Sequence, residues 1–422
     1  MKHRIWNCIG AGLSRLCAIS ALSLAMAPAV ADKPADRPAA STGWQKMENL
    51  APVVRGVDGK PHTASCSAYP GTDPRFNFWS KRGNSRNLVV YFEGGGACWN
   101  DYTCTFPQAD LPAEVPQFFT PALYSDINPA LYDGIFNASQ ARNPVKDWSF
   151  VYIPNCTGDV HIGSATRKYF NAGHPVFPLP NDFKIQHRGF DNFMVVLDWM
   201  KKNIHEPDRI LVAGSSAGGY GASANFPWVQ KVYPNSRMAV LADAAQGINT
   251  RNFDVSNPGR ESWKPQVAPW VFGNDPKRIA SPDILRIAAA AYPNTRVAQF
   301  TTQFDEVQIG YYSAVKTFHP PGGTCPNPAL DWNTQMLANL QATAASRPNY
   351  RHYVAAGQYH TILSSAQFYT EASAGVSFRD WFDDMLARGD PEDQGRNDHL
   401  GAGQAKWRNA ACPGCLLSIP CQ

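Results

Sequence analysis

The sequence predicts an α/β protein: an open, mostly parallel central sheet with helices on both faces. Three observations carry that expectation. Short apolar, β-branched runs recur at 88–92, 148–153, 209–213, 238–242, 295–301 and 352–355. Several are separated by helical periodicity, clearest at 189–204, where Phe190, Phe193, Val196, Leu197 and Met200 fall on one face. Continuously apolar strands alternating with helices are the pattern of a parallel sheet buried on both sides. Finally, the 34 prolines are spread along the chain, which suits long ordered loops rather than a helical array.

Ahead of the first run, residues 1–31 have the order of a secretory signal. Lys2, His3, Arg4 and Arg15 are followed by an apolar stretch from Leu16 to Met26, then by Ala29-Val30-Ala31 and the polar Asp32-Lys33-Pro34. Cleavage is expected after Ala31, giving a secreted or periplasmic protein. The apolar stretch is shorter than the roughly 20 residues that span a bilayer, so no stable membrane insertion is expected. Residues 32–55, rich in Pro, Ala, Lys and Asp, read as a flexible lead-in. Residues 56–422 read as one domain. Within it the longest interval between runs, 101–146, is rich in Pro and aromatics and reads either as a lid or pocket wall or as a structural excursion.

Composition excludes some classes of function. A content of 44% hydrophobic and 17% charged residues argues against disorder. A net charge of +4 without a run of Lys and Arg argues against nucleic acid as a partner. Without Cys8 and Cys17 of the leader, the cysteines are Cys66, Cys98, Cys104, Cys156, Cys325, Cys412, Cys415 and Cys421. An even number in an exported chain favours disulfides over metal sites. Cys98 and Cys104 are close enough to clip one loop. Cys412-Pro413-Gly414-Cys415 has thioredoxin-like spacing, but with no strand pattern before it and no helical pattern after it the pair reads as a structural staple.

The run 209–213 leads into Gly214-Ser215-Ser216-Ala217-Gly218, a G-x-S-x-G with Ser216 at its centre. Between a strand and a helix, such a turn lifts one hydroxyl above the sheet. A serine hydroxyl is a weak nucleophile and needs a base, and the base needs an acid to orient it. In the α/β-hydrolase fold these follow in the order Ser, Asp or Glu, His. Two acids follow strand-like runs, Asp243 and Asp305, and two histidines come late, His352 and His360. His352 lies inside an alternating run and reads as a satisfied structural histidine. His360 lies in the loop beyond it, where the functional residues of such sheets collect. Asp305 follows the run immediately before the one leading to His360 and is the favoured acid, with Asp243 shaping the pocket floor. The developing oxyanion needs backbone donors, one from the residue after the nucleophile, Ala217, and others from an early glycine-rich turn. Gly94-Gly95-Gly96, straight after 88–92, supplies one.

These residues resemble the pectin acetylesterase and Notum carboxylesterase family. The resemblance rests on "FEGGGACWN" at 92–100, "IPNCTGDVHIG" at 153–163, "GSSAGGYG" at 214–221, "QFDEVQ" at 303–308 and "YHTI" at 359–362. It implies an α/β-hydrolase-like three-layer sandwich with disulfide-stapled loops. By that resemblance Ser216, Asp305 and His360 are nucleophile, acid and base, and Gly95, Gly96 and Ala217 are the oxyanion donors. It also pairs Cys66 with Cys156 and Cys98 with Cys104, leaving Cys325, Cys412, Cys415 and Cys421 to share two bridges of open connectivity. Notum-like members carry an aromatic pair after the second glycine of the oxyanion loop. Gly96-Ala97 stands there in this sequence and is expected to open the mouth of the site. Asp159 lies in a family block without a chemical role, as a holder of its turn.

The expected activity is that of a serine carboxylesterase working through an acyl-enzyme, without metal or cofactor, on O-acetyl or other short acyl esters of a polysaccharide. The alternatives are another carboxylic ester (lipid acyl, polyester or aromatic) and, from a different class, a non-catalytic glycan- or lipid-binding member of the fold. Nothing in the sequence sets an oligomeric state.

Overall fold

The computed structural model describes residues 43–48, 50–108, 115–123, 128–323, 325–387 and 407–417. The signal expected at 1–31, residues 32–42 and 49 of the lead-in, and Cys421 lie outside them. Among the described residues a nine-stranded sheet organises the fold. Its strands in chain order are β1 (Trp44–Met47), β2 (Phe78–Lys81), β3 (Asn87–Phe92), β4 (Ser149–Ile153), β5 (Arg209–Ser215), β6 (Arg237–Asp243), β7 (Arg296–Thr302), β8 (Tyr350–Ala355) and β9 (Ala410–Ala411). They lie side by side as β1-β2-β4-β3-β5-β6-β7-β8-β9. From β4 to β9 every pairing is parallel, whereas β1 and β2 run antiparallel to their neighbours.

The core strands are buried residue by residue, as the apolar runs require. Alternate side chains serve opposite layers. Leu88, Val90 and Phe92 of β3, Ile210 and Val212 of β5, and Val240 and Ala242 of β6 share one cluster with the longer helices α1 (Gly189–Asn203), α2 (Ala217–Val232), α3 (Ile284–Ala291), α4 (Glu306–Phe318) and α5 (Pro328–Ser346). The intervening Val89, Tyr91, Leu211, Ala213 and Leu241 pack on the other face against α6 (Phe378–Leu386), through Phe378, Trp381, Phe382 and Met385. The result is the expected three-layer α/β-hydrolase-like arrangement. Helix α1 buries Phe190, Phe193, Val196, Leu197 and Met200, the face the periodicity marked.

Two details differ from the sequence reading, and one that it left open takes shape. The end of the segment read as a lead-in is ordered: Trp44–Met47 forms the edge strand on β2, and Trp44 packs on Phe136 and Phe150 with the Lys81 ammonium over its ring. One large aromatic anchor outweighs the polar composition around it. A short strand, β9, does precede Cys412, pairing with β8 as a parallel edge. The described part of 101–146 backs the glycine-rich turn: Phe119 bridges Gly96 and Pro107, and its ring packs with Cys98 and Cys104.

The disulfides staple loops, as expected. Cys66 is bonded to Cys156, Cys98 to Cys104 and Cys412 to Cys415. Cys325 is disulfide-bonded as well. Among the described residues no helix is long and apolar enough to cross a membrane.

Candidate active site

The C-terminal ends of β3, β5, β6, β7 and β8 converge on one cavity, where ligands of open α/β sheets collect. Ser216 sits between β5 and α2 with φ 56° and ψ −126°, a strained turn for a side-chain-bearing residue. Close approach explains its glycines. A Cβ on Gly218 would strike the Phe92 carbonyl, and one on Gly219 would meet Ala245 Cβ at 2.6 Å. Gly94 lies against the elbow itself, since a Cβ there would come within 3.0 Å of Ser216 Cβ.

Asp305 and His360 meet from neighbouring loops. Asp305 is fully buried at the N-terminus of α4 and caps it by accepting the Gln308 N–H at 3.0 Å. Gln308 Nε2 donates to its second oxygen at 3.0 Å, and His360 Nδ1 lies 2.9 Å from both oxygens. Those contacts place the proton on Nδ1 and leave Nε2 as the basic atom. Among the described residues the buried Nε2 has no hydrogen-bond partner, and Ser216 and His360 line the same cavity. Burial alone would pull the imidazole pKa down. The charge and hydrogen bond of Asp305, with the charges of Asp243 and Glu306 behind them, outweigh it and raise His360 above its ordinary 6.5.

The glycine-rich turn follows β3, with Gly95 at φ 145° and Gly96 at φ 67°. Among the described residues no backbone acceptor faces the N–H of Gly95, Gly96 or Ala217, whereas Ala97 N–H is spent on the Phe118 carbonyl at 2.9 Å. The turn is braced from below. His161 Nε2 donates to the Glu93 carbonyl at 2.8 Å, and burial holds that imidazole neutral, its pKa lowered to about 4. Asp159 holds the turn carrying His161, accepting Gly189 N–H at 2.8 Å, the Thr157 hydroxyl at 2.8 Å and His161 N–H at 3.2 Å. Its expected role as a turn holder therefore extends to setting the glycine-rich loop.

Three expectations are corrected. Gly96 does not open the mouth of the site, because the space a side chain would take is filled by the Phe118 carbonyl and the Tyr311 hydroxyl. Asp243 does not form the pocket floor: its carboxylate is fully buried and accepts from Ser215 Oγ and from the N–H groups of Ile362 and Leu363. His352 is buried in β8 away from the cavity, but neither ring nitrogen has a partner, and burial lowers its pKa to about 4.

The cavity holds about 100 Å³ and is mainly apolar. Trp99, Tyr220, Phe253, Tyr311 and Trp332 shape it. Sequence reading did not single these out. The Tyr311 pair could have been found, since Gln308, Tyr311, Tyr312 and Val315 follow Asp305 at helical spacing and all line the cavity.

A serine elbow after β5, an acid after β7 and a histidine after β8 on a mostly parallel sheet are the arrangement of the α/β-hydrolase class. The comparison with known families narrows this further. Residues 59–377 match the pectinacetylesterase family model, and the chain belongs to that family. It is similar to pectin acetylesterase 11 of Arabidopsis thaliana, 23% identical over 224 residues, which cover 50% of this chain and 51% of that protein. It is also similar to the palmitoleoyl-protein carboxylesterase NOTUM of Mus musculus, 24% identical over 181 residues, which cover 41% of this chain and 32% of that protein. The aligned region thus spans about half of the first relative and a third of the second.

Proposed function

We propose that the chain is a serine carboxylesterase that removes short acyl groups, with O-acetyl groups of a pectin-type polysaccharide as its leading substrate. The carrying observation is the Asp305–His360 pair with its free Nε2 on the cavity that Ser216 enters. In the reaction, His360 Nε2 takes the Ser216 proton as Oγ attacks the ester carbonyl. The oxyanion is met by the N–H groups of Ala217, Gly95 and Gly96. His360 then returns the proton to the departing alcohol, leaving an acyl-Ser216, which water hydrolyses by the same two proton transfers in turn. Asp305 keeps Nδ1 protonated and stabilises the imidazolium.

Cavity size supports the short-acyl reading. A volume of about 100 Å³ is well below the ~300–1,000 Å³ of pockets that enclose drug-sized ligands, and its apolar walls suit an acyl tail better than a sugar. Family membership supports an ester as the bond cleaved. The disulfides support an oxidising compartment, so we place the protein outside the cytoplasm, exported by the 1–31 signal and cleaved after Ala31.

The test is acetate release from pectin and xylan, measured beside chromogenic esters of short and long acids. Acetate release and a preference for short acids are expected. Turnover should fall by several orders of magnitude in Ser216→Ala. In Asp305→Asn, which can keep the helix cap, it should fall roughly 10⁴-fold. A preference for long acids with no acetate release would overturn the substrate, and full turnover by Ser216→Ala would overturn the mechanism.

A further inference from the structure

Asp243 ends β6 one strand away from the serine elbow, and its two polar ends reach both loops of the site. Its main-chain carbonyl accepts the Ser216 N–H at 2.8 Å. Its Oδ2 accepts Ser215 Oγ at 2.6 Å, Leu363 N–H at 2.9 Å and Ile362 N–H at 3.0 Å, and Oδ1 lies 3.1 Å from the same Ile362 nitrogen. Tyr91 closes the group by donating its hydroxyl to Ser215 Oγ at 2.8 Å. Only Thr361, in a left-handed turn at φ 65°, separates His360 from the first residue the carboxylate holds. Fixing Ile362 and Leu363 therefore fixes the direction from which His360 enters the cavity.

An anion here is expensive. The side chain has no exposure, and its hydrogen-bond donors are all uncharged. Burial pushes the carboxyl up to about 6 despite those donors and the nearby His360. Holding a strand to a loop needs no charge, and an apolar contact would do so at lower cost. The feature makes physical sense if the relative position of the two loops matters more than the stability it forfeits.

We propose that Asp243 is a positioning residue for the reaction at Ser216, clamping the His360 loop to the serine elbow so that Nε2 and Oγ approach correctly. The proposal rests on the serine-esterase reading. A second contribution follows from the charge, which faces His360 together with Asp305 and Glu306 and favours the imidazolium formed when Ser216 loses its proton.

Asp243→Asn and Asp243→Ala separate the clamp from the charge. Asparagine can keep most of the clamp: with its carbonyl oxygen in the place of Oδ2 it still accepts from Ser215 Oγ, Leu363 N–H and Ile362 N–H, and only the Oδ1 contact to Ile362 is lost. Alanine removes clamp and charge. On the full chain with a short chromogenic ester, Ala is expected to lower kcat about a hundredfold with KM little changed, the size of effect that misplacement of ~1 Å produces. Asn should restore most of that loss while moving the acid limb of kcat/KM to lower pH, because one of the charges that raise His360 is gone. An Ala variant that unfolds cooperatively and keeps the parent kcat would overturn the proposal. If Ala does not fold, Asp243→Ser, whose hydroxyl is too short to reach Ile362 and Leu363, decides: a folded Ser variant with the parent kcat overturns the clamp. Activity surviving in Ser216→Ala would remove the underlying mechanism instead, whatever the Asp243 variants do.

Discussion

His360 is pulled in two directions, and the balance sets the pH behaviour of the site. Burial disfavours its charged form, but Asp305, Asp243 and Glu306 raise its pKa above 6.5. Catalysis needs the neutral ring, so kcat/KM should fall as pH drops through a value above 6.5, measured as the acid limb of a pH–rate profile. Stability runs the other way. A histidine whose folded pKa exceeds its unfolded one contributes fully below the unfolded value, and that contribution is lost as pH rises through the folded value. An acid limb well below 6.5 would contradict the charge arrangement. At this scale the sequence was informative, because Ser216, Asp305 and His360 each follow an apolar run and the fold's chain order assigns their roles. The partners of Asp243 were not legible, since Ile362 and Leu363 lie beyond its reach in sequence and approach only once β6 and the loop after β8 are packed.

Among the elements, two glycine turns meet face to face, one after β3 and one after β5, and their tolerances differ. At Gly218 a methyl group would press on the Phe92 carbonyl of a central strand, so Gly218→Ala should cost about 1–3 kcal/mol of stability as overpacking, read from the denaturant midpoint. At Gly96 the collision is with the Phe118 carbonyl and Tyr311, in a backbone at φ 67° beside the oxyanion donors. Gly96→Ala is therefore expected to lower kcat about a hundredfold, the loss typical of one misplaced donor, in addition to a loss of stability. Six of the nine strands were readable as apolar runs. The three short strands at the margins of the sheet were not: β1 buries none of its four residues fully, β2, between β1 and β4, only its two end residues, and β9 is two alanines. Such short marginal strands are held by pairing, which leaves little periodic signal.

For the whole molecule, the disulfides divide the labour by loop length. Cys66–Cys156 closes a separation of 90 residues, and Cys98–Cys104 one of 6. Chain-entropy reasoning assigns about 4.6 kcal/mol to the first and about 2 kcal/mol to the second. Replacing both Cys66 and Cys156 by Ser should thus lower the unfolding midpoint more than the same change at Cys98 and Cys104. The latter should act mainly on kcat, because the short clip lies directly behind the glycine-rich turn. Equal loss of stability in the two double variants, measured by denaturant unfolding, would refute that division. Charge and composition could not have revealed it, since the bridges matter through which loops they close.

The crowding at Gly96 also constrains how this chain can diverge. A larger residue there needs the segment at Phe118 to withdraw and the Tyr311 side chain to shrink or turn, and these groups come from three separate stretches of the chain. Single substitutions along that route pass through poorly functioning intermediates, so the three positions should be inherited as a set. Variants selected for bulkier acyl groups are therefore expected to change first at Trp332, a cavity-lining side chain on α5, where one smaller side chain gains room without a change in the glycine-rich turn.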